Sequence, residues 1–138
     1  MRDINLSWRG RLSLAVFGLG LLGMLGIAVW LQPDAAGRGT HQQLGLPSCT
    51  FVELFEKPCP SCGMTTAWTH VVRGSWLRGM RCNVGGALLA ITAIVAAPWS
   101  LVGVVRGHIA APNDSIAITW GVAVIIVTLT QWILRIVG

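Results

Sequence analysis

Three runs of roughly twenty residues, Leu12–Leu31, Val84–Val105 and Ile116–Leu134, contain no charged side chain. At 1.5 Å rise per residue, a helix of about twenty residues is about 30 Å long, the thickness of a bilayer's hydrocarbon core. A soluble fold would have to bury all three runs. The chain has 138 residues, of which 54% are apolar and only 11% charged. A water-facing surface normally draws on about a quarter charged residues. Lipid is therefore the expected solvent, and the expected architecture is an all-α integral membrane protein with three transmembrane helices. The mean hydropathy of +0.68 agrees.

The segments between these runs give the organisation. Residues 1–11 form a basic tail with Arg2, Arg9 and Arg11 against Asp3. Residues 12–31 are the first span, too long for a cleaved signal peptide and followed by Pro33-Asp34-Ala35-Ala36, a poor cleavage site. Gly20, Gly23 and Gly26 share one broad face of it, where another helix can approach. Residues 32–83 hold a Pro/Gly-rich linker, a cysteine-rich turn and two amphipathic helices. His41 in the linker reads as a solvated loop residue. Residues 84–105 form the second span, 106–115 a turn and 116–134 the third span.

Within 32–83, Ser48–Glu56 reads as one helical turn on the membrane surface, stopped at Lys57-Pro58. Met64, Ala67, Trp68, Val71 and Val72 recur at helical spacing, with Thr65, Thr66, Thr69, His70 and Arg73 on the opposite face. That ten-residue helix is too short to span and is expected in the interface or packed on the bundle. Gly74 ends it and Ser75 is placed to cap the next helix.

Two further patterns point inward. Gly86, Ala90, Ala93 and Ala97 make a small-residue stripe on the second span, suited to close helix packing or to a partner. Gly121, Thr128, Gln131 and Arg135 form a polar seam on the third, which lipid would penalise, so it should face the bundle or a partner.

The net charge of +5 is spread along membrane edges, as anchoring to anionic head groups would have it. No basic face interleaved with aromatics suggests nucleic-acid binding. Trp8, Trp30, Trp76 and Trp99 lie at predicted membrane edges. The basic tail argues for a cytoplasmic N-terminus, although the basic residues of the loops and chain ends number four on that side and six on the other.

The chemistry-bearing residues are Cys49, Cys59, Cys62 and Cys82, spaced C-x9-C-x2-C-x19-C. As a zinc site, Cys49, Cys59 and Cys62 supply three thiolates, and Cys82 or His70 the fourth ligand. In an oxidising compartment, Cys49 would instead pair with Cys59 or Cys62. A third reading is thiol-disulfide exchange at Cys59/Cys62, where a helix N-terminus favours a thiolate, with Cys49 and Cys82 as a second pair. The sequence holds no Ser-His-Asp set, paired acids or phosphate loop.

Cys49, then Pro58-Cys59-Pro60-Ser61-Cys62-Gly63-Met64-Thr65, then a helix ending in Gly74, then Asn83 before a membrane helix: this pattern resembles a widespread bacterial family of small membrane proteins with the signature C…PCPxCGxTR…G…N. The resemblance implies a bacterial membrane protein and brings no activity with it; the inner membrane is the expected location. It carries Cys49, Cys59 and Cys62, whereas Cys82 is this chain's own, and Thr66 stands where the family usually has Arg. The expectation is a non-catalytic protein. Its cysteine site, as metal knuckle or disulfide, stabilises a membrane-edge loop for assembly with a membrane partner or with itself. The alternative is a membrane thiol-disulfide oxidoreductase.

Overall fold

The computed structural model describes residues 2–137. The chain runs β1 (Arg2–Asn5), α1 (Trp8–Trp30), a 3-10 turn (Thr40–Leu44), α2 (Thr50–Phe55), α3 (Met64–Val71), α4 (Trp76–Cys82), α5 (Val84–Arg106), β2 (His108–Ala111) and α6 (Asp114–Val137). Three of these, α1, α5 and α6, are long and apolar enough to cross a membrane. Their outward side chains are large and apolar, including Val16, Leu19, Val95, Ile118 and Ile125.

α5 is the central element. Its small-residue stripe is used within the chain: Ala90, Ala93 and Ala97 are almost wholly buried, and α1 and α3 pack there. A Cβ on Gly86 would lie 3.0–3.3 Å from Met64 atoms of α3. On α1 the close approach falls at Gly18, which faces Ser100 and Leu101 of α5. Gly20, Gly23 and Gly26 have nothing within 4 Å and face outward.

α3 is enclosed more fully than its amphipathic pattern suggests. Ala67, Trp68 and Val71 join Ala28, Ala87, Ala90 and Ala93 in the core. On the opposite face Thr66 and Thr69 are buried too, because their hydroxyls find partners. Thr66 Oγ1 lies 2.8 Å from Thr40 Oγ1, and Thr69 Oγ1 donates to the Thr66 carbonyl at 2.7 Å. A buried hydroxyl is tolerated when hydrogen-bonded.

The termini of the spans are tied by devices absent from any local pattern. β1 pairs antiparallel with β2, Arg2 opposite Ala111 and Asn5 opposite His108. This ribbon joins the predicted tail and turn, so both lie at the same end of the bundle. Three arginines then cap helix C-termini on other elements. Arg11 donates to the Val104 and Val105 carbonyls of α5. Arg73 donates to Ala28, Val29 and Leu31 at the end of α1. Arg135 donates to Arg81 and Cys82 at the end of α4. Each neutralises carbonyls that a helix leaves unpaired and sits at the negative end of its dipole. The sequence had suggested lipid head groups for the scattered basic residues, Arg135 excepted, which its seam already pointed inward.

Candidate functional site at the cysteine turn

The cysteine turn lies at the end of the bundle opposite the ribbon. Cys49 is the N-cap residue of α2, and α2 stops at Glu56, whose φ is 55°. Phe51 packs against Phe55 with centroids 4.8 Å apart and rings tilted by 42°, and meets Trp132 of α6 edge-on at 6.4 Å. The Trp132 indole N–H donates to the Pro58 carbonyl at 2.7 Å. Two tight turns follow, Cys62 N–H to Cys59 carbonyl and Met64 N–H to Ser61 carbonyl, both 3.0 Å.

Gly63 ends the turn with φ 83°. A Cβ there would fall 2.7 Å from the carbonyl oxygens of both Cys82 and Gly37. Backbone angle and space each demand glycine.

The turn is fastened to the membrane helices through Asn83 and the α6 seam. Asn83 is buried at the α4–α5 break. Its Nδ2 donates to Pro60 and Cys62 carbonyls at 3.1 and 3.3 Å, and its Oδ1 accepts from the Gly86 N–H at 2.7 Å. Gln131 Oε1 accepts from the Val84 N–H at 2.7 Å, and its Nε2 donates to Met80. Arg135 reaches the Cys62 carbonyl as well. Thr128 lies against Gly85, which has no room for a side chain. Thus Thr128, Gln131 and Arg135 face their own chain, while nothing approaches Gly121 within 4 Å. Ser75 occupies the N-cap position of α4 but its side chain makes no capping bond.

The four thiols are free and half-buried, and they fall into two places. Cys49, Cys59 and Cys62 line one cavity of about 320 Å³, together with His41. Cys49 and Cys59 approach to 3.5 Å. Cys59 Sγ also lies 3.2 Å from Ser61 Oγ. Cys82 lies on a separate cavity with Arg38, Arg81 and Arg135, which Cys62 also borders. Among the described residues no group of three or more His, Cys, Asp or Glu side chains takes a metal-holding arrangement. Of the expected ligand set, Cys49, Cys59 and Cys62 share one cavity while Cys82 lies on the other, across Gly63 and Asn83. His70, the other candidate ligand, does not line the cysteine cavity. It sits at the far end of α3 beside Arg78 and Arg73, where burial first and these charges second push its pKa down.

The thiols also differ electrostatically. The Val52 N–H, the Cys59 thiol and the Phe51 N–H hold Cys49 below the usual thiol range, against desolvation and Glu53. Burial pushes Cys62 up, helped by Cys59 and Cys49 and opposed by Arg38. Burial raises Cys82 too, opposed by Arg135. The acidic thiol is thus Cys49 at the start of α2, and its neighbour is Cys59. The CxxC spacing had drawn attention to Cys59 with Cys62. His41, read as a loop residue, lies on the cysteine cavity, its Nε2 3.2 Å from the Pro47 carbonyl. Nothing in its spacing from Cys49 marks it.

Residues 49–97 match a family described as a protein of unknown function (DUF2752). The match begins at Cys49 and ends at Ala97, so it takes in the cysteine turn, α3, α4 and the part of α5 that carries the small-residue stripe. No curated protein and no solved structure matches the chain.

Proposed function

We propose that the chain is a non-catalytic multi-pass protein of the bacterial inner membrane whose cysteine turn is a structural element, closed by a Cys49–Cys59 disulfide, for assembly with a membrane partner or a second copy. The observation that carries this reading is the 3.5 Å approach of Cys49 to Cys59. Around them the turn is already fixed by Asn83, Arg135 and Trp132. Oxidation transfers two electrons and two protons to a disulfide-bearing exchange partner and closes the loop that carries α2. A bridge over a loop of this size contributes about 2–4 kcal/mol. It persists in an oxidising compartment, which agrees with a cytoplasmic N-terminus and a periplasmic cysteine turn. The outward face of α1 at Gly20, Gly23 and Gly26 supports association with another helix.

The test is a thiol count. The protein is denatured without reductant in the presence of chelator, alkylated, weighed intact and mapped. Two labelled thiols, Cys62 and Cys82, with Cys49 and Cys59 recovered as one linked peptide, are expected. Four labelled thiols would overturn the reading.

The acidity of Cys49 favours a second reading, thiol-disulfide exchange. The Cys49 thiolate attacks a substrate disulfide and releases one substrate thiolate. Cys59 then displaces the other, leaving a Cys49–Cys59 disulfide and a reduced substrate. Under this reading Cys59→Ser keeps its fold and accumulates mixed disulfides on Cys49. Under the structural reading Cys49→Ser and Cys59→Ser both lower stability and trap nothing.

A further inference from the structure

A second cavity at the same end of the bundle, about 500 Å³ in volume, is walled by Arg38, Arg81 and Arg135, with Gly37, Pro58 and Cys82 between them. The volume is within the range of ligand clefts, roughly 300–1,000 Å³. Among the described residues no carboxylate lines it. The acid closest in sequence, Asp34, turns Oδ1 onto the Ala36 N–H at 2.8 Å. Among the described residues the single ion pair, Arg2 with Asp114, is at the ribbon, where both span ends it touches are remote from the turn. Arg135 is locked onto the Arg81, Cys82 and Cys62 carbonyls, so its charge is fixed in the wall. Arg38 and Arg81 are exposed, and their guanidinium groups donate no hydrogen bond to any described residue. Like charges gathered without a counter-charge repel one another and create a positive potential that an anion relieves.

We propose that this cavity binds a phosphate group, as the head group of an anionic phospholipid or as free phosphate. Guanidinium forks match the oxygens of phosphate. The cavity lies where α4 ends and α5 begins and where α6 ends, the level of lipid head groups for helices that cross a bilayer. Beside Arg135, Ile133 and Leu134 are outward-facing and apolar, a surface along which acyl chains can lie. Unlike Arg11 and Arg73, Arg38 and Arg81 donate to no helix-end carbonyl among the described residues, although Arg81 lies in the last turn of α4.

The full chain, purified in a neutral detergent, is titrated with dioctanoyl phosphatidylglycerol and dioctanoyl phosphatidylcholine, and bound lipid is counted by native mass spectrometry. Saturable binding of the phosphatidylglycerol, much tighter than of the phosphatidylcholine, is expected. Arg38→Gln/Arg81→Gln should weaken it roughly twentyfold, and each single change about fivefold, the usual effect of basic side chains at a membrane surface. Arg9→Gln/Arg78→Gln, which alters the same net charge elsewhere, should leave it unchanged. Displacement by millimolar inorganic phosphate would assign the site to a free anion, and no displacement to a lipid head group. Equal affinity for the two lipids, unchanged affinity in the Arg38/Arg81 double variant, or an equal loss in the Arg9/Arg78 control would overturn the proposal.

Discussion

The hydroxyls of Thr40 and Thr66 meet at 2.8 Å with neither side chain exposed to solvent. This one bond ties the linker after α1 to the first turn of α3. Thr66→Val leaves the Thr40 hydroxyl buried without that partner, although it still accepts from the Asp34 N–H at 3.1 Å. A loss of about 1–2 kcal/mol is expected. Thr40→Val/Thr66→Val should lose less than the sum of the single changes, because both ends of the bond are removed together. Thermal unfolding in detergent checks both.

Asn83 serves three backbone groups at once: the Pro60 and Cys62 carbonyls and the Gly86 N–H. Asn83→Ala should destabilise the protein by about 2–4 kcal/mol, from a lost cap plus buried carbonyls left short of donors. Asn83→Asp keeps the acceptor for Gly86 and loses both donors. Its deficit should therefore appear as faster proteolysis within residues 56–63, with the start of α5 still protected.

Arg73 closes the C-terminus of α1 through a planar fork spread over Ala28, Val29 and Leu31 carbonyls. Arg73→Lys keeps the charge and cannot reproduce that geometry. A loss of about 1–3 kcal/mol is expected for Lys and more for Met. Hydrogen exchange should report it as earlier opening of residues 28–31, without change at the ribbon end.

Cys49 lies below the usual thiol range, while Cys62 and Cys82 lie above it. In the reduced protein, the order of alkylation with rising pH should be Cys49 first, then Cys62 and Cys82. The sign for stability follows the same directions. The contribution of Cys49 is present above its unfolded pKa and fades as pH falls through its lower folded value. Those of Cys62 and Cys82 are present below their unfolded pKa and fade as pH rises through their higher folded values. Quenched iodoacetamide labelling with peptide mapping across neutral to alkaline pH tests the order. Equal rates at Cys49 and Cys62 would contradict it.

The three long helices were legible because charge-free runs of bilayer length leave few alternatives. The inward seam was legible for a similar reason: Thr128, Gln131 and Arg135 would be costly in lipid. Their partners were not, since Met80, Cys82 and Val84 reach α6 only after the chain has turned twice. The burial of Thr66 and Thr69 escaped the periodicity because a hydroxyl counts as polar until its partner is known. The sequence left Cys49 two candidate neighbours, Cys59 and Cys62, and the spacing could not choose the 3.5 Å approach to Cys59. Two cysteines on one tight turn need not face each other, and α2 brings the third thiol back. The β1–β2 ribbon had no signal at all, being four residues on each side without alternation.

That ribbon also imposes an order in time. β1 is made about a hundred residues before β2, an interval of roughly 5–20 s at ordinary synthesis rates. Throughout it, the N–H and C=O groups that Arg2–Asn5 will give to β2 are without that partner. α1 and α5 must both have entered the membrane before His108–Ala111 can return to them. The first strand of the chain is thus among the last to find its partner, and its pairing records that two crossings have been completed.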